Sequence, residues 1–131
     1  MADENGNPLQ GRRVLVVEDE YFLADDMSAA LKKLGAEVIG PENTTAEALA
    51  RLDDAGQVHA AVLDVNLGGG AAFPLADALR ERDIAFVFCT GYEVEALPPA
   101  YRDVPRWQKP YDAATIALAL GPLLESAGSA S

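Results

Sequence analysis

Three consecutive carboxylates, Glu18, Asp19 and Glu20, directly follow the apolar run VLVV at residues 14–17. Adjacent like charges repel one another, so this pattern needs an explanation. Acidic residues are favourable at the start of a helix, where they interact with its positive end. Grouped carboxylates are also ligands that Mg²⁺ prefers, and the ion is commonly bound by few of them while it keeps several waters. The pattern therefore indicates either a helix start or a cation site.

Three further side chains that could do chemistry lie at the ends of apolar runs: Asp64, Thr90 before Gly91, and Lys109 before Pro110. Taken singly, they are ordinary turn or surface residues. Together with a metal ion, a carboxylate, a hydroxyl and an ammonium form a cradle for a phosphoryl group, because phosphoryl transfer depends on positioning and charge neutralisation. Asp64 could then attack the phosphorus atom and become an acyl phosphate.

Short apolar runs alternate with helical patterns along the chain. Five runs predict strands at residues 13–17, 36–40, 60–65, 85–90 and 106–108. Helical periodicity and capping residues predict helices at residues 20–34, 44–56, 73–82 and 112–124, with a loop at 68–73. This alternation predicts a doubly wound, five-stranded parallel sheet with helices on both faces.

In such a sheet, binding sites form beyond the carboxyl ends of the strands. Glu18 and Asp19 follow the first predicted strand, Asp64 ends the third, Thr90 the fourth, and Lys109 the fifth. We therefore expect these residues, which are distant in sequence, to converge on one edge of the sheet. His59, which enters the third strand, is instead expected to be structural.

The composition fits one small domain. The chain has 131 residues, of which 50% are hydrophobic, and a net charge of −11. Residues 12–125 are expected to form the domain, with flexible tails at 1–11 and 126–131. The negative charge disfavours direct binding of nucleic acid and of anionic membranes, and no apolar run reaches the roughly 20 residues needed to cross a bilayer. A single cysteine, Cys89, excludes an internal disulfide and favours a reduced, cytoplasmic protein.

Four segments, VLVVEDE, VLDVNL, FCTGY and QKPY, resemble the signature segments of bacterial two-component response-regulator receiver domains of the CheY-like type. The resemblance covers about residues 13–124, nearly the whole chain. It implies a flavodoxin-like fold and a stand-alone receiver, which is not an enzyme in the usual sense. Asp64 would accept a phosphoryl group from a histidine kinase or a histidine phosphotransfer protein.

The resemblance also implies roles for the residues around Asp64. Glu18 and Asp19 would organise Mg²⁺, with Asp19 as the direct ligand alongside Asp64 and the backbone carbonyl of Asn66. Thr90 would be the switch hydroxyl, and Lys109 the ion-pair partner of the phosphoryl group. A cis peptide bond would precede Pro110.

One departure from the family pattern concerns the switch. Receivers usually carry an aromatic residue three positions before the lysine, and here that position is Arg106. FCTGY is loosely similar to the Phe-Ala-Thr-Gly-X-Tyr pattern of a subgroup of single-domain receivers. Tyr92 and Arg106 are therefore the candidate switch or partner-contact residues. Because Pro98 and Pro99 interrupt the helical pattern, residues 92–105 are expected to be loosely ordered, with few apolar anchors, and to become ordered on phosphorylation.

Alternative functions remain open from the sequence. A phosphatase or phosphotransferase could use an aspartyl-phosphate on small molecules, but such enzymes usually place a second acid two residues after the nucleophile, where this chain has Asn66. A scaffold could bind partners without phosphorylation. A receiver without an output domain would signal by phosphorylation-dependent protein–protein interaction or act as a phosphate sink, as a monomer or weak dimer.

Overall fold

The computed structural model describes residues 8–67, 70–90, 97–109 and 111–130, with the backbone alone at 66–67, 70–71 and 125–130. The elements in chain order are β1 (Arg13–Val17), α1 (Tyr21–Lys33), β2 (Glu37–Glu42), α2 (Thr45–Asp54), β3 (Ala60–Asp64), β4 (Asn66–Leu67), β5 (Gly70–Ala71), α3 (Phe73–Glu81), β6 (Ala85–Thr90), a 3₁₀ turn (Pro99–Tyr101), β7 (Arg106–Gln108) and α4 (Ala113–Ala130). None of the helices within these ranges is long and apolar enough to span a membrane.

Five parallel strands form one sheet in the order β2-β1-β3-β6-β7, which confirms the predicted fold. Alternate side chains of a strand point to opposite faces. In β1, Leu15 and Val17 accordingly pack in a core with α2 and α3, whereas Val14 and Val16 pack in a second core with α1 and α4. The continuous apolar run is therefore explained by burial on both faces.

Most predicted element bounds agree with the structure to within about two residues, and the larger differences are at three places. After β3, a two-stranded antiparallel ribbon is formed by β4 and β5, and β5 lies within the loop predicted at residues 68–73. Within the predicted N-terminal tail, Leu9 is fully buried and its N–H donates to the carbonyl of Leu34 at 2.9 Å. Helix α4 continues to Ala130, through Pro122 and into the predicted C-terminal tail. Residues 1–7 and Ser131 lie outside the described ranges.

The segment before β7 is packed more tightly than the sequence suggests. Leu97, Tyr101 and Val104 are all buried, and the Tyr101 ring stacks on the Phe73 ring with their centroids 5.4 Å apart. The expectation that few apolar anchors hold this segment is therefore wrong for residues 97–105. Residues 92–96, including Tyr92, lie outside the described ranges.

Candidate functional site

Three polar side chains are buried in the described part of the chain, and all three belong to the predicted site. Glu18, Asp64 and Thr90 are 4%, 3% and 2% exposed. They lie at the carboxyl ends of the adjacent strands β1, β3 and β6. Charged groups are rarely buried unless they are paired. The buried carboxylates at this edge of the sheet therefore require a positively charged partner.

Lys109 supplies that partner. Its Nζ lies 2.9 Å from Asp64 Oδ2, 2.5 Å from Glu20 Oε1 and 3.5 Å from Glu18 Oε2. Its backbone N–H also donates to the carbonyl of Thr90 at 2.8 Å, which ties the end of β7 to the end of β6. The structure thus brings Lys109 together with the carboxylates as the sequence predicts.

Glu18 is held in place from β2. Gly40 has a φ of +95°, and a Cβ at this residue would lie 2.8 Å from the Glu42 nitrogen and 3.0 Å from the Val16 oxygen. Glycine is therefore needed for β2 to pass close to β1 and continue to Glu42. The carbonyl of Glu42 accepts the N–H of Glu18 at 3.0 Å, and Glu18 Oε2 accepts the N–H of Glu20 at 2.9 Å.

The site has an excess of negative charge. Burial raises the pKa of Glu18 to about 7, and its hydrogen bond and charge interaction with Asp64 add to the rise. Burial lowers the pKa of Lys109, but hydrogen bonds to Glu20 and Asp64 outweigh that effect and leave the pKa raised. One ammonium faces the carboxyl groups of Glu18, Glu20 and Asp64, and a further cation would favour their ionised forms.

The carboxylates that could hold this cation are Glu18, Glu20 and Asp64, whose ligand atoms all lie within 4.8 Å of one another. An all-oxygen set of this kind suits Mg²⁺. The sequence did not predict Glu20 as part of the site, because the residue was assigned to the start of the helix. Glu20 is the N-cap of α1, but its side chain makes no capping hydrogen bond and contacts Lys109 instead.

Asp19, another predicted ligand, is outside this cluster of carboxylates, and the ligand predicted at Asn66 is a backbone carbonyl. Asp19 is exposed, and Asn66 lies in β4, where its backbone is two residues beyond Asp64. Their roles as ligands remain predictions. The cis peptide bond predicted before Pro110 involves a residue outside the described ranges.

Residues around the cluster have structural roles. Burial raises the pKa of Cys89 to about 12, although a hydrogen bond with Tyr111 opposes the shift, so the thiol is not a nucleophile at neutral pH. Arg106 donates from Nη1 to the carbonyls of Arg102 and Val104, at 2.8 and 3.1 Å, and thus stabilises the turn before β7. Its part in a switch remains a prediction.

The chain resembles known signalling proteins. No protein-family model matches it. The phyllosphere-induced regulator PhyR from Methylorubrum extorquens is 28% identical over 97 residues, which are 70% of this chain and 36% of PhyR, so the chain spans about a third of the length of that relative. SdrG from Sphingomonas melonis Fr1, known from a solution structure, is 43% identical; the match covers 86% of this chain and 96% of SdrG, with a TM-score of 0.74.

Two further structures extend the comparison. SdrG has also been solved in a BeF3-activated conformation, which matches this chain with a TM-score of 0.71. A CheY-like response-regulator receiver domain protein from Methanospirillum hungatei JF-1 is 21% identical; the match covers 92% of this chain and 98% of that protein, with a TM-score of 0.78. At this identity the likeness concerns the fold alone.

Proposed function

Because this chain belongs to the CheY-like response-regulator receiver domains, we propose that it accepts a phosphoryl group on Asp64 from a histidine kinase or a histidine phosphotransfer protein. A carboxylate oxygen of Asp64 attacks phosphorus, the phosphorus–nitrogen bond to the donor histidine breaks, and its electron pair stays on the imidazole. The observation that carries this proposal is the contact of 2.9 Å between Lys109 Nζ and the buried carboxylate of Asp64.

The neighbouring side chains would divide the work of stabilising the phosphoryl group. Lys109 supplies positive charge, and the Thr90 hydroxyl, one residue beyond the partner of Asp64 in the β3–β6 register, supplies a hydrogen bond. Glu18, Asp64, Asp19 and the carbonyl of Asn66 would hold Mg²⁺. When bound, this ion supplies charge neutralisation for the transferring group. Incubation with Mg²⁺ and acetyl phosphate, followed by intact-mass analysis, tests the proposal by the gain of one phosphoryl group.

The ligand role of Asp19 can be separated from that of Glu20. Asp19 forms no hydrogen bond or ion pair with another described residue, so its carboxylate can turn to an ion at little cost. Glu20 would first have to break its ion pair with Lys109. We therefore expect Asp19→Asn to weaken Mg²⁺ binding about tenfold or more and Glu20→Gln to have a smaller effect, as measured by the Mg²⁺ dependence of the melting temperature.

Two outcomes would contradict that assignment. Wild-type protein that melts at the same temperature with and without millimolar Mg²⁺ would show that the carboxylates do not bind the ion. If Glu20→Gln weakens Mg²⁺ binding as much as Asp19→Asn or more, Glu20 rather than Asp19 is the ligand. Asp77→Asn, on the exposed side of α3, is the control for loss of one carboxylate elsewhere.

Lys109→Ala should separate phosphorylation from the response to it. The nucleophile and the carboxylates remain, so beryllofluoride, which stands in for the phosphoryl group, should still bind with Mg²⁺. The link from Asp64 through Lys109 to the end of β7 is lost, so the change in amide exchange at residues 97–109 should shrink severalfold. Lys32→Ala, in the exposed last turn of α1, is the control. An undiminished response in Lys109→Ala would remove this residue from the switch.

The output of the protein follows from the same chemistry. Once phosphorylated, the receiver signals by protein–protein interaction or drains phosphoryl groups from another receiver. We place it in the cytoplasm, as a monomer or weak dimer that neither binds nucleic acid directly nor inserts into membranes. Its receiver-domain relatives are signalling domains rather than classical enzymes, and sustained turnover of small phosphate esters would contradict a switch of this kind.

A further inference from the structure

A second concave site lies at the amino-terminal ends of the strands, on the opposite edge of the sheet from Asp64. It is a pocket of about 430 Å³, within the range of roughly 300–1,000 Å³ typical of small-molecule sites. The segments that precede β1, β3 and β6 line it, together with Leu52 of α2 and Leu124 of α4. The pocket therefore lies where helices from both faces of the sheet come together.

The charge of this pocket contrasts with that of the protein. The chain carries a net charge of −11, yet two arginines, Arg12 and Arg82, line the pocket, and Asp83 is the one carboxylate among the described lining residues. Arg82 is paired with Asp53 at 2.6 Å. Arg12 forms no ion pair with any residue of the described ranges. Its guanidinium is therefore available to an anion.

His59 adds a hydrogen-bond donor of fixed position. Its Nδ1 accepts the backbone N–H of Arg13 at 2.9 Å, so the neutral ring carries its proton on Nε2. Burial, followed by the charges of Arg12 and Arg13, lowers the pKa of His59, and the ring is therefore neutral at pH 7. As predicted, this histidine has a structural role, but its Nε2–H remains for a ligand.

We propose that this pocket binds a small monocarboxylate with an apolar body. The carboxylate would pair with Arg12 and accept the Nε2–H of His59, because a guanidinium and a neutral donor suit a planar carboxylate. The apolar body would lie against Leu52, Val58 and Ile84. Asp83, in the lining, disfavours ligands of higher negative charge such as phosphate esters.

Titration of 4-methylbenzoate into isotope-labelled protein in EDTA tests this proposal by amide chemical shifts. Saturable shifts at residues 57–59 and 82–84 are expected, with a dissociation constant of about 10 mM, which is typical of a ligand of this size. The uncharged 4-methylbenzamide and the dianionic 4-methylphenyl phosphate should bind at least several times more weakly. Equal or tighter binding of either compound would overturn the assignment, as would the absence of saturable shifts for 4-methylbenzoate.

Variants locate the site. Arg12→Gln should weaken binding of 4-methylbenzoate about tenfold, because a charge-assisted hydrogen bond is lost, while Lys32→Gln should leave it unchanged. Asp64→Asn should bind as wild type does, so the outcome is independent of the phosphoacceptor proposal. The same affinity in Arg12→Gln and Lys32→Gln, or shifts centred on Thr90 and Lys109, would overturn the proposal.

Discussion

Asp64→Asn is expected to abolish phosphorylation by acetyl phosphate in the presence of Mg²⁺. Asparagine keeps the shape of the side chain, but its amide does not attack phosphorus and brings no negative charge to a metal ion. Of the two buried carboxylates near Lys109, Asp64 is the closer, at 2.9 Å against 3.5 Å for Glu18, and we expect no other acidic residue to substitute for it. Intact-mass analysis should show one added phosphoryl group on wild-type protein and none on the variant.

The matched control for this experiment is Asp77→Asn, which removes an exposed carboxylate from α3 and should be labelled as fully as wild type. A melting curve of each variant shows that it is folded. Label that persists on Asp64→Asn would contradict the assignment of the phosphoacceptor. More than one phosphoryl group on wild-type protein would show that Asp64 is not the sole acceptor.

The positions of the site residues on the sheet could be predicted from the sequence because they depend only on strand direction. Each carboxylate or hydroxyl that ends an apolar run must lie at the carboxyl end of its strand, and parallel strands bring those ends to one edge. Glu18, Asp64 and Thr90 converge in this way. The apolar runs were long enough to identify strands buried on both faces.

Side-chain contacts between distant segments could not be predicted in the same way. Glu20 and Lys109 are 89 positions apart. That Glu20 rather than Asp19 contacts Lys109 depends on the direction of each side chain just before α1. Leu9 is buried in the core with α1 and α4, and its N–H donates to the carbonyl of Leu34 after the end of α1; these contacts have no local pattern. Tyr101 follows two prolines, which indicate a break in the helix but not what the ring packs against.

The Tyr101 ring is the main anchor of the segment before β7. It stacks on Phe73 at 5.4 Å and meets Phe88 edge-on at 6.0 Å, while the Arg80 guanidinium lies 4.8 Å from its centroid. Phe73 begins α3, the first helix after Asp64, and Phe88 lies two residues before Thr90. The ring thus connects residues 97–104 to the helix that follows Asp64 and to the strand that ends at Thr90.

Tyr101→Ala should therefore reduce the free energy of unfolding by about 3 kcal/mol, the low end of the range for removing a buried aromatic ring. Tyr101→Phe keeps the ring contacts and should cost less than about 1 kcal/mol. Tyr21→Ala, which removes a ring that is 80% exposed at the start of α1, should change the free energy by no more than about 0.5 kcal/mol. Urea unfolding of the three variants measures these differences. Equal losses in Tyr101→Ala and Tyr21→Ala would mean that the ring does not anchor residues 97–104, and the loosely ordered segment expected from the two prolines would then be the better description.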